Sequence, residues 1–231
     1  MPQLKLSVII PCKNDPLIKR LLNCLSNQTF KDFEVIVVDS SDRQIIKPHE
    51  FQLNLKVIRA DCWIGTARNI GVKHASGEII AFLDADTIVP NDFAEKIIEI
   101  FNSHSSLVGL AVLIYPTKTN PFIDLIYRVQ RFLIKFSFRY RRPRISGACC
   151  IYRKSIFKSR KFIDVVGDDI VFSSDIPKFG KVSYSDKLKA FEEPRRWDKG
   201  LKILKSFLYY IPSYIFLLLI MLNIHHLIIK G

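Results

Sequence analysis

The run Glu78-Ile79-Ile80-Ala81-Phe82-Leu83 is almost wholly apolar and lies between Gly77 and the pair of carboxylates in Asp84-Ala85-Asp86. A short apolar run closed at both ends reads as a strand of a parallel sheet, buried on both faces. Ligands of open α/β sheets bind just beyond the carboxyl ends of their strands. Two carboxylates one residue apart at that point can hold a hard divalent cation, and through it a diphosphate. An acidic turn capping the helix that starts near Pro90 has the same local pattern, so the surroundings decide.

Upstream, residues 4–10 read as a strand stopping at Pro11. Asp15 and Pro16 suit the N-cap and first position of a helix. Leu17, Ile18, Leu21, Leu22 and Leu25 follow at helical spacing. Residues 33–38 form a second strand ending in Asp39-Ser40-Ser41-Asp42, residues 53–58 a third, and 66–75 a short helix before the fourth strand at 78–83. This order predicts a nucleotide-binding α/β fold, a mostly parallel sheet flanked by helices. Lys13-Asn14-Asp15, Asp39 to Asp42 and Asp84 to Asp86 all follow strand ends, so a parallel sheet carries them to one edge. There they can converge on one ligand, with carboxylates for base and ribose donors and a cation for the diphosphate. Neither GxGxxG nor GxxxxGK[ST] is present, which argues against a dinucleotide fold and a P-loop.

Charge divides the chain. Residues 1–110 hold 12 Lys/Arg against 13 Asp/Glu, whereas 111–231 hold 23 against 9, so the second half is built to meet something anionic. In 118–161 there are 13 Lys/Arg and one acid. Asp124, Arg128, Arg131, Lys135 and Arg139 form one polar stripe on a predicted helix over about 121–139. Phe122, Ile123, Leu125, Ile126, Val129, Phe132, Leu133 and Phe136 fill the rest. The pattern suits a basic amphipathic helix at a bilayer interface, or a core helix with one solvated face. Residues 206–229 contain no Asp, Glu, Lys or Arg. At 1.5 Å per residue they reach about 36 Å, enough for a hydrocarbon core of about 30 Å. Arg195, Arg196, Lys199, Lys202 and Lys205 precede this segment and Lys230 follows it, which predicts a single span with the globular part in the cytoplasm. A hydrophobic hairpin, or a segment lying in the membrane plane, is the other reading. Five cysteines without a CxxC pair indicate neither a disulfide framework nor a zinc site, and no leader is expected before the first strand.

At Ser7-Val8-Ile9-Ile10-Pro11-Cys12-Lys13-Asn14-Asp15 the chain resembles the opening of family 2 glycosyltransferases, with Lys13 for the usual aromatic and Asp15 for the usual Glu. The resemblance continues through Val37-Val38-Asp39-Ser40-Ser41-Asp42, Gly65, Ala67-Arg68-Asn69-Ile70-Gly71, Ala75-Ser76-Gly77-Glu78 and Phe82-Leu83-Asp84-Ala85-Asp86. Ser146-Gly147-Ala148, Gly167-Asp168-Asp169 and Arg195-Arg196-Trp197-Asp198-Lys199-Gly200 are similar to the family's later elements, although Glu193 stands where some relatives carry Gln.

The resemblance implies a glycosyltransferase-A fold, with a catalytic domain over 1–200. Residues 1–110 would bind the nucleoside-diphosphate sugar and 111–200 the acceptor, while the uncharged run read above gives the transmembrane segment over 203–230. Asp39 would bind the base, with Pro11 and Asp15 shaping that pocket and Arg68 near the diphosphate. Asp84 would contact ribose or metal-bound water, and Asp86 would ligate Mn²⁺ or Mg²⁺. Asp169 would be the catalytic base of an inverting displacement. Gly147, Asp168, Arg196 and Trp197 would face acceptor or phosphate, with Arg196 and Trp197 equally suited to anchoring at a membrane interface. The activity implied is metal-dependent hexosyl transfer to a polyprenyl phosphate or lipid-linked saccharide at the cell membrane, with no nucleic-acid partner. A nucleotidyltransferase, or a non-catalytic membrane-tethered anion binder, are the readings set against it.

Overall fold

The computed structural model describes residues 6–139, 143–165 and 167–195. The expected transmembrane segment, Arg196 and Trp197 lie outside them. Among the described residues no helix is long and apolar enough to cross a membrane.

The chain opens with β1 (Leu6–Cys12), α1 (Ile18–Ser26), β2 (Phe33–Asp39), β3 (Leu55–Arg59), α2 (Ile64–His74) and β4 (Ile79–Leu83). β1 lies between β2 and β4, β3 flanks β2, and all four run parallel. Leu6, Val8, Ile10 and Cys12 face one core cluster and Ile9 the other, an alternation repeated in β2 and β4. Both faces are covered, which is why these strands read as continuous apolar runs. β1 continues through Pro11 to Cys12, past the expected stop. β4 pairs with β1 only as far as Ile9, so a residue lacking an N–H is tolerated beyond that point.

Asp15 does not cap α1 at the expected place. Its Oδ1 accepts the Leu17 N–H at 3.0 Å, one turn ahead of the helix, and Leu17 stands at the N-cap. The helix still buries Ile18, Leu21, Leu22 and Leu25 as its spacing predicts. α2 carries Gly65, Ala67 and Gly71 inward, and at Gly71 a Cβ would come within 2.3 Å of Ile9 Cγ2. Only glycine lets the helix sit this close to β1.

The second half departs from the mostly parallel expectation. After β5 (Thr87–Ile88) and α3 (Phe93–Ser103) come β6 (Leu107–Pro116), α4 (Pro121–Arg139), β7 (Cys149–Arg153), α5 (Asp168–Asp175) and β8 (Lys181–Glu192). The described strands form one eight-stranded mixed sheet in the order β3-β2-β1-β4-β7-β6-β8-β5. β7 is antiparallel to β4 and β6, β5 is antiparallel to β8, and β6 and β8 are parallel. Because β7 enters where β4 leaves, with Cys149 opposite Leu83, residues 146–148 reach the same edge as Asp84. The Asp84 N–H donates to the Ala148 carbonyl at 3.0 Å.

Glu34 holds β4 in register. Its Oε1 accepts the Ser7 hydroxyl at 2.6 Å and the Ser76 N–H and hydroxyl at 2.6 and 2.7 Å, pinning the turn before β4 to β1 and β2. Burial pushes the carboxyl's pKa up, but these donors more than reverse it and hold it below the ordinary glutamate value. A depressed carboxyl pKa adds stability that is present above the unfolded value and lost as pH falls. Glu34→Gln is expected to destabilise the protein by about 1 kcal/mol at pH 7, a low figure for charged hydrogen bonds because the group is half-buried. In chemical denaturation of both proteins the difference should shrink as pH drops through and below about 4.3. A pH-independent difference would show that the carboxylate charge plays no part.

Candidate active site

Three strand ends and one strand start meet at the carboxyl edge of the parallel strands. Asp39 closes β2, Asp84 and Asp86 follow β4, Asp15 follows β1, and Gly147 precedes β7. The edge consists of two connected groups of charges.

The outer group contains Asp15, Asp39 and Asp86. Asp39 is fully buried. Its Oδ2 accepts Arg59 Nη1 at 2.6 Å and its Oδ1 the Ser41 N–H at 2.9 Å. Arg59, half exposed, also donates to the Ser41 carbonyl, so it covers Asp39 on the solvent side. Asn14, at φ 51, donates its N–H to Ser41 Oγ and its side-chain amide to Asp42, tying the β1 and β2 ends together. Asp15 and Asp86 share one cation: Arg195 Nη2 lies 2.6 Å from Asp15 Oδ2 and 2.6 Å from Asp86 Oδ2. Arg195 also loses solvation there, which works against its charge, but the two carboxylates outweigh this and raise its pKa.

The inner group centres on Arg68, only 2% exposed. Its guanidinium bonds Asp168, lies 3.6 Å from Asp84 Oδ1, reaches the Gly147 carbonyl at 3.3 Å and sits over the Phe162 ring at 5.1 Å. Burial alone would lower its pKa, but the carboxylates of Asp84 and Asp168 reverse the shift and keep it charged. Asp168 goes the other way: burial raises its carboxyl pKa more than Arg68 lowers it. Asp169 Oδ2 accepts the Gly147 N–H at 2.7 Å and its Oδ1 the Ile170 N–H at 2.9 Å, at the first turn of α5, whose N-cap Gly167 takes the left-handed φ of 77°. A Cβ on Gly147 would lie 2.9 Å from Arg68 Nη2 and 3.2 Å from Asp169, so the glycine permits this closure.

The buried cysteines supply no nucleophile. Burial, then the charges of Asp39 and Asp15, push Cys12 up to about 11. Burial likewise drives Cys149 and Cys150 upward. The chemistry available at this edge belongs to carboxylates.

Each described residue of the expected site reaches this edge. Pro11, Asp15, Asp39 and Asp86 lie on the outer side, and Arg68, Asp84, Gly147, Asp168 and Asp169 on the inner side. Asp84 and Asp86 thus divide between two arginines, and among the described residues no three His, Cys, Asp or Glu side chains group as a metal cluster. Two residues escaped the sequence reading. Arg59 pairs in register with Asp39, so adjacency of two parallel strand ends could have flagged it. Arg195 opens an element similar to one of the family's later ones, but it lies 180 residues from Asp15 and 109 from Asp86, and nothing local shows that it pairs with both.

Comparison with known proteins identifies the fold and the family. The poly(ribitol-phosphate) beta-N-acetylglucosaminyltransferase TarS of Staphylococcus aureus (strain Mu50) is 36% identical over 117 residues, 46% of this chain and 20% of TarS. The validoxylamine A glucosyltransferase of Streptomyces hygroscopicus subsp. limoneus is 36% identical over 103 residues, 40% of this chain and 23% of that protein. The chain thus spans about a fifth to a quarter of the length of these two relatives. Among solved structures, S. aureus TarS superposes with a TM-score of 0.65 at 26% identity, covering 82% of this chain and 36% of that one. The mannosyltransferase PcManGT of Pyrobaculum calidifontis, solved with GDP-Man and Mn²⁺, shares the fold with a TM-score of 0.65 at 20% identity, covering 85% and 58%. The profile described as Glycosyl transferase family 2 matches residues 7–160, two thirds of the chain and most of the edge just described, and the chain belongs to that family.

Proposed function

We propose that the chain transfers a sugar, with inversion, from a nucleoside-diphosphate sugar to a lipid-linked acceptor at the cytoplasmic face of a membrane. One observation carries the donor part of this reading: Asp15, Asp39, Asp84, Asp86 and Asp169 gather on one sheet edge around three arginines, Arg59, Arg68 and Arg195. TarS has been solved with UDP-GlcNAc, which supports a nucleotide-sugar donor here, and PcManGT with Mn²⁺, which supports a cation. The basic second half and the uncharged 206–229 segment support the lipid-linked acceptor and the single span.

Asp84 and Asp86 fit the cation by the chemistry of their donors. They are hard, partly exposed carboxylates, and Mg²⁺ or Mn²⁺ is commonly held by one or two such groups with substrate phosphates completing the shell. A bound cation would neutralise charge building on the leaving diphosphate. Asp39 would meet the base once Arg59 turns outward, and Asp15 and Pro11 would wall that side. Arg68 is positioned as a fixed strut holding Asp84 and Asp168, with its charge still near the diphosphate. Asp169, held by the Gly147 N–H, would take the proton from an acceptor hydroxyl as that oxygen attacks the anomeric carbon. The outcomes follow from these roles. In an assay of purified full-length protein with UDP- and GDP-sugars and a lipid acceptor, Asp86→Ala is expected to cut kcat/KM by at least about 10²-fold. Undiminished activity would remove Asp86 from the mechanism. Asp169→Asn is expected to cost about 10²–10⁴-fold with a hydroxyl acceptor. A phosphate acceptor is already anionic and would tolerate that change, so the pair of assays separates the two acceptor classes.

Arg195 bonds one carboxylate oxygen of Asp86, so a cation held by that carboxylate would compete with it. Arg195→Gln is therefore expected to tighten Mn²⁺ binding to the nucleotide-free protein by about two- to tenfold, about 0.4–1.4 kcal/mol. Spin-resonance titration of free Mn²⁺ reads this without turnover, and unchanged affinity would place the cation away from Asp86 Oδ2.

A further inference from the structure

α4 has two apolar sides, and the sheet uses only one. Ile123, Tyr127, Ile134 and Ser137 are buried. At 3.6 residues per turn, Phe122, Leu125, Val129 and Phe132 fall on roughly the opposite side. Leu125 and Phe132 are 60% and 63% exposed, and Phe132 stacks on Phe136 with ring centroids 5.6 Å apart. Between the two sides runs the charged stripe, but much of it is committed to the fold. Arg131 donates to the Ile114 carbonyl at 3.2 Å and lies over the Tyr115 ring at 4.3 Å, and Lys135 bonds Asp186 at 2.6 Å. Arg128, paired with Asp124, remains largely exposed beside the apolar face.

We propose that this outer face of α4, Phe122-Leu125-Val129-Phe132, lies in the interface of an anionic lipid bilayer. Three observations favour lipid over a protein partner. The segment 118–161 holds 13 Lys/Arg against one acid, and anionic headgroups complement that excess. Exposed aromatic and aliphatic side chains flanked by arginine are the composition that enters the headgroup–acyl boundary. The chain beyond the described residues contains the 24 uncharged residues 206–229, which provide a second attachment to the same bilayer, and two signals together make membrane binding stable. The placement also serves the site. Tyr127 Oη bonds Glu192 at 2.5 Å at the end of β8, whose Glu192 and Phe191 pair with Thr87 and Ile88 just after Asp86. Through this inner-side contact α4, and with it any bilayer on its outer face, is tied to the strand pair that follows the carboxylate edge. Delivery of a lipid-held acceptor to that edge rests on the proposed function; the docking itself does not.

The test uses the full chain in nanodiscs of phosphatidylcholine and phosphatidylglycerol, with Phe132→Trp compared against the parent. The added tryptophan is expected to emit at shorter wavelength than a solvent-exposed indole. Lipids brominated near the acyl–headgroup boundary should quench it about twofold or more, because such helices sit about 5–10 Å into that boundary. Emission at the water-exposed position, unquenched, would overturn the proposal. So would shifted but unquenched emission, which means that this chain's own C-terminal segment or a second copy covers the face. Leu125→Glu combined with Phe132→Glu changes only exposed side chains, so folding is expected to survive, while activity on a lipid acceptor in nanodiscs should fall at least about tenfold with UDP-sugar binding unchanged. Quenching without any nucleotide-sugar binding would sink the proposed function and leave the docking standing; binding without quenching would do the reverse.

Discussion

Arg68 is the constraint on which the rest of the site depends. A guanidinium buried to this degree costs several kcal/mol unless its charge and its donors are met. Asp84 and Asp168 meet its charge, and Asp168 and the Gly147 carbonyl accept from Nη1 and Nη2, while Nε is buried without a hydrogen-bond partner among the described residues. Those three groups come from the loop after β4, the first turn of α5 and the strand start at β7, so one side chain on α2 joins both halves of the molecule. Removing Asp168, the closer of the two carboxylates, would leave the guanidinium with only its 3.6 Å approach to Asp84 for charge compensation. The aromatic cluster beneath, with Phe162 and Phe172 stacked 4.1 Å apart, keeps the pair dry and its geometry narrow.

From this strut the outer charges take their places. Asp84 is held on the inner side, which turns Asp86, two residues on, toward Asp15 and Arg195. Gly147, without a Cβ, lets Asp169 approach the same strut and aims its carboxylate at the edge. The arrangement sets Asp15, Asp39 and Asp86 on one side and Asp84, Asp168 and Asp169 on the other. The proposed function assigns the cation to Asp84 and Asp86, the nucleotide base to Asp39 and the catalytic base to Asp169. Arginines neutralise these carboxylates, so under the proposed function a bound cation would take the place of Arg195 on Asp86.

What the residues disclosed in advance was the part of the fold set by local periodicity. The parallel order of β1 to β4 followed from short apolar runs separated by turn residues, and α1 and α4 from apolar spacing, with α4 observed as Pro121–Arg139. The gathering of Asp15, Asp39, Asp84 and Asp86 at one edge followed from the same logic. The antiparallel entry of β7 did not, because it is decided by pairing between strands 66 residues apart at Leu83 and Cys149. Arg59 and Arg195 were missed for the same reason: both act across the fold, on partners chosen by tertiary placement. On α4 the periodicity identified an amphipathic helix, but only the packing distinguished the side that faces the sheet from the second apolar side.

The central claim is that one edge of this sheet grips an activated sugar through Asp86. Crystals of the protein grown with a nucleoside diphosphate and Mn²⁺ test it directly, through anomalous scattering from the metal. The account predicts a single strong peak directly coordinated by the Asp86 carboxylate and the diphosphate, with Arg195 displaced from Asp86. A diphosphate bound elsewhere, or bound here with Arg195 still on Asp86 and no metal peak, would contradict it.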